Sequence, residues 1–345
     1  TTGGSNVAIG RDALEANTTA SYSNAIGAYA LTANTTGNSN EALGYSALKS
    51  NTTGAYNIAI GREALETATT ADNNIALGYQ TLHSNTIGNT NTAIGREALY
   101  TNVAADRNVA IGYRSLYLMT RSTTADTYNV GVGNETLYSL TTGAYNVAIG
   151  GKAAYTSTTG SANIAIGNDA FYYNTTGDDN IAIGPNALKA NTTADQNVAV
   201  GKNALLANTT GSQNGAFGYY TLAANTTGVN NNAFGRGALG SVTTANSNTA
   251  MGDYALQANT AAENSAFGYR ALYSNTSGQN LAAVGKNALY SNTTADYNTA
   301  VGHSALETNT TGEYNTAVGG AALSTLAAAN NNTAVGYAAL QLCTV

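Results

Sequence analysis

The sequence is poor in the residues that usually carry chemistry and charge. It has no tryptophan, one proline and one cysteine, and charged residues make up 9% of its 345 positions. The lone Cys343 excludes a disulfide within the chain and has no histidine near it, so we expect a packed or terminal thiol rather than a nucleophile. The 13 Lys and Arg residues are scattered, and the formal net charge is −6. Without a basic patch, no nucleic-acid partner is expected.

The sequence also offers no clear candidate for a metal site, a cofactor site or a membrane-spanning segment. The two histidines, His83 and His303, lie far apart, and no cluster of His, Cys, Asp and Glu has metal-ligand spacing. No apolar run approaches the roughly 18 residues of a membrane-spanning helix, so we expect no membrane insertion. We therefore expect no metal, no cofactor and no enzymatic activity.

What the sequence does contain is a strict repeat. The glycine of an Asn-x-Ala-x-Gly motif recurs every 17 residues, beginning with Gly10, Gly27 and Gly44. Equal steps through a whole chain are typical of a solenoid, in which each unit contacts its neighbours. We predict one continuous solenoid over residues 1–345 with about 20 coils. Two coils are irregular: 113–133 carries a four-residue insertion around Leu118–Arg121, and 253–268 is one residue short.

Each coil reads as a short strand, a short helical turn and a tight turn. The alternating motif predicts the strand, and good helix formers such as Arg62–Glu66, with Pro185 directly after Gly184, predict the helical turn. The fold class is therefore a mainly parallel β-solenoid. The constant residues are expected to form structural ladders, represented by Ala8, Ile9, Gly10, Leu14, Asn17, Ala59, Ile60, Gly61 and Leu65.

The strand motif also suggests an interface. Ala and Gly share one strand face and the large apolar residue lies on the other. A face made only of Ala and Gly implies a backbone packed close to it, most simply from identical chains. We therefore expect a homotrimer, with a monomer of very narrow core as the alternative.

The repeated Asn-Thr-Thr segments allow several interpretations. They match the N-glycosylation signature, but the same position carries Ala68, Leu140, Val242 and Leu326 in other coils. A position that accepts Leu and Val favours a buried ladder of stacked amides over a sugar attachment site. Paired Thr rows could also bind ice, although they are interrupted. The disfavoured glycosylation sites are Asn17, Asn34, Asn51, Asn174, Asn191, Asn208, Asn225, Asn275, Asn292 and Asn309.

Tyrosine is the surface feature that best suits binding. One coil position carries Tyr in five consecutive coils, which places a stripe along one side of the solenoid: Tyr100, Tyr117, Tyr138, Tyr155 and Tyr172. Tyr combines an apolar ring with a polar tip, which suits contacts with glycans or a cell-surface receptor. Packing between subunits is the alternative role.

The motifs "NVAIG" (Asn6–Gly10), "NIAIG" (Asn57–Gly61) and "NTAVG" (Asn298–Gly302) resemble the repeats in head domains of trimeric autotransporter adhesins. They are also similar to arrays in phage tail fibres and bacterial surface proteins. The resemblance implies a trimeric parallel β-roll that binds host surfaces, although the adhesin repeats are usually shorter than 17 residues.

We expect a non-enzymatic structural or adhesive fibre that is extracellular, at the cell surface or on a virion. The chain starts at "TTGGSN" and ends at "LQLCTV", both within a repeat, so a parent chain or head-to-tail stacking is expected. The alternatives are a self-assembling filament subunit and an ice-binding solenoid.

Overall fold

The computed structural model describes residues 2–342, and Cys343 lies outside the described residues. The fold is a parallel β-solenoid, as the period predicts. The chain divides into two compact units, Thr1–Asp178 and Asp179–Val345. The described residues form no helix, so none of them belongs to a helical membrane span.

Each coil contributes one strand of three residues to a parallel sheet. Successive strands pair in register, so that Ala59 lies opposite Ala76 and Ile60 opposite Leu77. The strands of unit 1 in the main sheet are β1 (Val7–Ile9), β2 (Asn24–Ile26), β3 (Glu41–Leu43), β4 (Ile58–Ile60), β5 (Ile75–Leu77), β6 (Thr92–Ile94), β8 (Val109–Ile111), β10 (Val130–Val132), β11 (Val147–Ile149) and β12 (Ile164–Ile166). Two further strands, β7 (Ala105–Asp106) and β9 (Ala125–Asp126), form a small sheet of their own.

The strands of unit 2 follow the same pattern. They are β13 (Ile181–Ile183), β14 (Val198–Val200), β15 (Gly215–Phe217), β16 (Asn232–Phe234), β17 (Thr249–Met251), β18 (Ser265–Phe267), β19 (Ala282–Val284), β20 (Thr299–Val301), β21 (Thr316–Val318) and β22 (Thr333–Val335).

Backbone hydrogen bonds between coils continue outside the strands. The amide of Leu48 donates to the carbonyl of Ala64 at 3.0 Å, and the amide of Thr52 donates to the carbonyl of Thr69 at 2.8 Å. In the opposite direction, the amide of Glu63 donates to the carbonyl of Tyr45 at 2.9 Å. The turns are thus joined to neighbouring coils as the strands are, which satisfies backbone groups that the narrow coil cannot pair internally.

The predicted helical turn does not form. The segment after each strand glycine makes tight turns instead, such as the bond from the Ala64 amide to the Gly61 carbonyl (3.4 Å). Glu63 and Leu65 have φ values of 59° and 49°, in the left-handed region. A right-handed helix cannot contain such residues, and a left-handed φ costs a leucine roughly 1–2 kcal/mol. Leu65 is fully buried. Its burial and the hydrogen bonds between coils therefore outweigh that cost.

The alanine of each strand points into its own coil. Ala59 is fully buried and shares the interior with Ala64 and Leu65. At Gly131, which replaces this alanine, an added Cβ would lie 2.5 Å from Ser115 Oγ and 2.9 Å from Thr136 Oγ1. The expectation that the Ala face needs a partner chain was therefore wrong, because a single chain already buries it. Ala8 in the first coil is the exposed exception.

The strand glycine is required by close backbone contact between coils. Gly61 has a φ of 136°, and an added Cβ would lie 2.3 Å from the carbonyl oxygen of Gly78. No L side chain tolerates that approach without moving the backbone. Gly10 is in the same situation against Gly27, with a φ of 130°. This part of the predicted structural ladder therefore has a direct physical cause.

The two coils of irregular length depart from the regular coil in their turns. Leu118 and Met119 keep regular positions, because the Leu118 amide donates to the Tyr138 carbonyl (3.1 Å) and Met119 is fully buried. The extra length lies after Thr120 and leads into β9, slightly later than expected. In the short coil, Asn259 Nδ2 donates to the Ala261 carbonyl two residues on (2.6 Å), whereas Asn275 spans three residues to Gly278 (2.9 Å).

Candidate functional site: the outer columns of the coils

The outward side chains of the strands form an apolar surface in unit 1. Since the strand alanine points inward, the residues on either side of it point outward. Ile60, Ile111 and Ile149 are 40%, 36% and 40% exposed, although the sequence places Ile60 in the structural ladder. We call this surface the aliphatic face, and it comprises Ile58, Ile60, Ile75, Leu77, Thr92, Ile94, Val109, Ile111, Val130, Val132, Val147, Ile149, Ile164 and Ile166.

The aliphatic face is regular and free of charge. Seven strands at about 4.8 Å spacing make it roughly 30 Å long. Thr92 is its one polar side chain. Contiguous apolar surfaces of this kind mark sites of interaction with other molecules. In unit 2 the first strand residue is still apolar at Ile181 and Val198 but is polar further along, as at Thr299 and Thr316. The third strand residue stays apolar, as at Val301 and Val318.

The predicted tyrosine stripe of unit 1 is a continuous stack of parallel rings. The centroids of Tyr100 and Tyr117 are 5.2 Å apart, and the next three steps, through Tyr138 and Tyr155 to Tyr172, are each 5.1 Å. Interplanar angles along the stripe do not exceed 15°. The rings are half-buried, and burial raises the pKa of Tyr117 and of Tyr155. Each inner ring has its neighbours stacked on both faces, so the stripe offers ring edges to a ligand.

A second column beside the stripe alternates tyrosine and arginine. The guanidinium carbon of Arg62 lies 5.7 Å from the ring centroid of Tyr45 and 5.8 Å from that of Tyr79. Arg96 lies 5.7 Å from Tyr79 and 5.8 Å from Tyr113. Each arginine is thus placed between two aromatic rings, a favourable cation–π arrangement. The guanidinium groups of this column therefore already contact aromatic rings of the protein itself.

Carboxylates complete this charged region. Arg96 and Arg114 both donate to Glu97, at 2.9 and 2.5 Å. Burial raises the pKa of Glu97, but the hydrogen bonds from Arg114 and Arg96 outweigh it, so that the pKa lies below its ordinary value. A hydrogen bond from Gln80 is the largest cause that lowers the pKa of Glu63.

The fold also brings together three ionisable residues that the sequence analysis did not connect. Ligand atoms of Glu63, Glu66 and His83 lie within 4.8 Å of one another, a geometry that could hold a metal ion. His83 Nε2 is 3.0 Å from Glu66 Oε2, and Arg62 donates to Glu63 at 2.9 Å. These protein contacts compete with any metal for the carboxylates. The signal was available, because Glu66 and His83 are one repeat apart.

Two columns of buried asparagines confirm the predicted amide ladder. The first column, called the strand column, consists of the asparagines that come directly before the strands. Asn91 Nδ2 donates to Asn74 Oδ1 (3.2 Å) and to the Ala105 carbonyl (2.9 Å). Asn91 Oδ1 accepts from the backbone amide of Asn108 (3.0 Å). The turn column contains the Asn-Thr-Thr asparagines, where Asn51 Nδ2 donates to Asn34 Oδ1 at 2.9 Å.

The candidate glycosylation sites all belong to the turn column. Nine of the ten are fully buried, and Asn17 is half-buried. Three asparagines of the turn column have an Oδ1 without a partner, namely Asn51, Asn225 and Asn309. Each of them precedes a coil in which the turn column carries Ala68, Val242 or Leu326 instead of a donor. The ladder is therefore interrupted by the substitutions that the sequence shows.

The two threonine rows behave differently from each other. The hydroxyl of the first Thr donates to the next coil, as Thr35 Oγ1 does to the Thr52 carbonyl at 3.0 Å. The second Thr, such as Thr36 or Thr53, is exposed. The exposed row is interrupted by Ile87 and Ala104. The paired display expected of an ice-binding surface is thus reduced to one broken row.

Comparison with protein-family models and with curated proteins finds no match.

Proposed function

We propose that the protein is a non-enzymatic structural or adhesive fibre, extracellular or virion-associated, that assembles with copies of itself through the aliphatic face. The observation that carries this proposal is a regular, uncharged row of half-exposed Ile and Val side chains in unit 1. Surface aliphatics in such a regular array gain stability only when another apolar surface covers them.

A second copy of the chain is the occupant that best matches this surface. The side chains of the aliphatic face recur at the strand spacing of about 4.8 Å, and sheets pack face to face at about 10 Å. A copy of the same chain has the same spacing and no charge to bury at this position. The resemblance to adhesin heads favours three copies around an axis. This interface differs from the expected Ala face, because Ala59 and its equivalents lie inside the coil.

The test uses threonine, because Thr92 already occupies the first position of a strand in the aliphatic face. A variant with Ile58→Thr, Ile75→Thr, Val109→Thr and Val147→Thr keeps β-branched side chains in the strands but makes the first position of four strands in the face polar. We expect sedimentation velocity to show the wild-type chain as an oligomer and this variant as a monomer. Ile87→Thr is the matched control, because its column carries threonine in other coils. An unchanged oligomer in the four-residue variant would contradict the proposal.

The ice-binding alternative receives less support than the fibre. One of its two threonine rows donates its hydroxyls to neighbouring coils, as Thr52 Oγ1 does to the Thr69 carbonyl at 3.0 Å.

A further inference from the structure

Unit 2 contains a cavity where glycines interrupt two columns of surface side chains in the same coil. One column runs through Tyr220, Gly237 and Tyr254, and the other through Ala223, Gly240 and Gln257. The missing side chains at Gly237 and Gly240 leave a cavity of about 260 Å³. The side chains that line it include Tyr219, Tyr220, Arg236, Ser241, Tyr254 and Gln257.

The cavity presents an open aromatic face, unlike the tyrosine stripe of unit 1. Tyr219 and Tyr220 are 49% and 40% exposed, and their rings meet at 73° with centroids 4.5 Å apart. Within the described residues, neither of these rings has a parallel ring stacked on it. Gly237 follows Tyr220 in the column, so the next coil supplies no side chain to cover that ring. The two tyrosines form an aromatic corner.

The opposite side of the cavity is polar but balanced in charge. The guanidinium carbon of Arg236 lies 4.7 Å from the ring centroid of Tyr254. Its Nη2 is 3.7 Å from Asp253 Oδ2, and the Asp253 carboxylate also accepts the Arg236 amide at 2.8 Å. With one cation beside one carboxylate, the site does not select for a charged ligand.

One polar atom of the lining has no partner. Gln257 Oε1 is buried and accepts no hydrogen bond. A buried acceptor without a donor is destabilising, so a ligand hydroxyl that Gln257 meets by a turn of its amide group gains from satisfying it. Arg236 and Ser241 can in turn donate to ligand oxygens. The lining therefore needs a ligand with both hydroxyl donors and oxygen acceptors around an apolar face.

We propose that this cavity binds a neutral pyranose ring of a glycan. The C–H face of the sugar would stack on Tyr220, and its hydroxyls would meet Gln257 and Arg236. The cavity is somewhat smaller than the roughly 300–1,000 Å³ of sites for drug-sized ligands, which suits a single ring. The proposal deepens the adhesive part of the proposed function, but it depends on unit 2 alone and not on assembly.

The experiment is saturation-transfer NMR on the full chain with methyl β-D-glucopyranoside, methyl β-D-galactopyranoside and methyl α-D-mannopyranoside as separate probes. We expect at least one to receive saturation at its ring C–H protons. Tyr220→Asn removes the aromatic face yet keeps a residue that Asn203 shows to be compatible with a positive φ. Gly240→Tyr fills the cavity with a residue that the same column carries at Tyr273. Each should weaken binding about tenfold.

Two further variants separate specific binding from general effects. Gln257→Leu places in the column the residue found at Leu206, and it should weaken binding several-fold because the acceptor is lost. Tyr297→Asn is the control: Tyr297 is 50% exposed outside the cavity and also has a positive φ, as do Asn280 and Asn331 in its column. It should bind like the wild type.

The proposal is overturned if no pyranoside binds, if binding survives both Tyr220→Asn and Gly240→Tyr, or if p-cresol binds while every pyranoside fails. Sedimentation of the same samples distinguishes its failure from that of the proposed assembly. A monomer that binds the sugar retains this inference and removes the fibre interface, and an oligomer that binds no sugar does the reverse.

Discussion

The strand column of asparagines allows one prediction to be worked in detail. Replacing Asn91 by Ala removes the acceptor of the Asn108 amide, which Asn91 Oδ1 binds at 3.0 Å in the fully buried interior. The Ala105 carbonyl keeps a bond from Asn102 Nδ2 (3.1 Å), so the Asn108 amide is the group left without a partner. An unsatisfied buried donor costs about 1–3 kcal/mol and each lost bond about 1 kcal/mol. We expect Asn91→Ala to destabilise the protein by about 2–4 kcal/mol.

The turn column supplies a matched control for this prediction. Asn51 is as fully buried as Asn91, but its Oδ1 already lacks a partner. Asn51→Ala removes that unsatisfied oxygen while leaving Asn34 Oδ1 without a donor. The Gly54 carbonyl keeps the bond from Asn40 Nδ2 at 2.7 Å. The expected cost is about 1 kcal/mol or less.

Urea unfolding measures the overall loss of stability, and amide hydrogen exchange at Asn108 measures the local loss. The local probe is needed because long repeat arrays do not always unfold in one cooperative step. Asn91→Ser should fall between wild type and Asn91→Ala, since Ser23 Oγ shows that serine can accept the amide of the next coil, Asn40, at 3.2 Å. Equal costs for Asn91→Ala and Asn51→Ala would refute the reasoning.

Three further predictions follow from the outer and turn columns. Ala68→Asn should stabilise the protein by about 1 kcal/mol, measured by urea unfolding, because it supplies the donor that Asn51 Oδ1 lacks; a loss of stability would contradict it. The lowered pKa of Glu97 adds stability above the unfolded pKa of about 4.3, and that stability is lost as pH falls through the folded value. Melting temperature should thus fall less on acidification in Glu97→Gln than in wild type, and parallel curves would argue otherwise. Tyr138→Ala removes two ring contacts of 5.1 Å and should cost about 1–3 kcal/mol in urea unfolding, with no change expected if the stack were incidental.

The period and the ladders could be predicted from the sequence because they depend on spacing alone. A 17-residue step puts identical residues on top of one another whatever the coil shape. The substitution of Asn by Leu140 or Val242 correctly indicated a buried turn column, and both residues are fully buried. The same 17-residue spacing predicted the tyrosine stripe, and it would also have predicted the contact between Glu66 and His83.

The conformation of the turn after each strand, and which face of the strand lies inside, could not be predicted from the spacing. Arg62–Glu66 has good helix propensity, but bonds between coils and burial of Leu65 impose left-handed φ values that propensity does not anticipate. The strand pattern alternates Ala with larger apolar residues, so hydrophobicity alone does not tell which face is inside. On the strand side of the coil the small alanine lies in the interior beside Leu65, and Ile60 is left outside.

The mass of the wild-type chain in solution, measured by light scattering on a sizing column over a range of concentrations, tests the central claim most directly. We predict a defined oligomer, with a mass three times the 34.9 kDa of the chain if it assembles as the resemblance implies. A chain that stays at 34.9 kDa at every concentration would contradict it, because the aliphatic face would then remain uncovered.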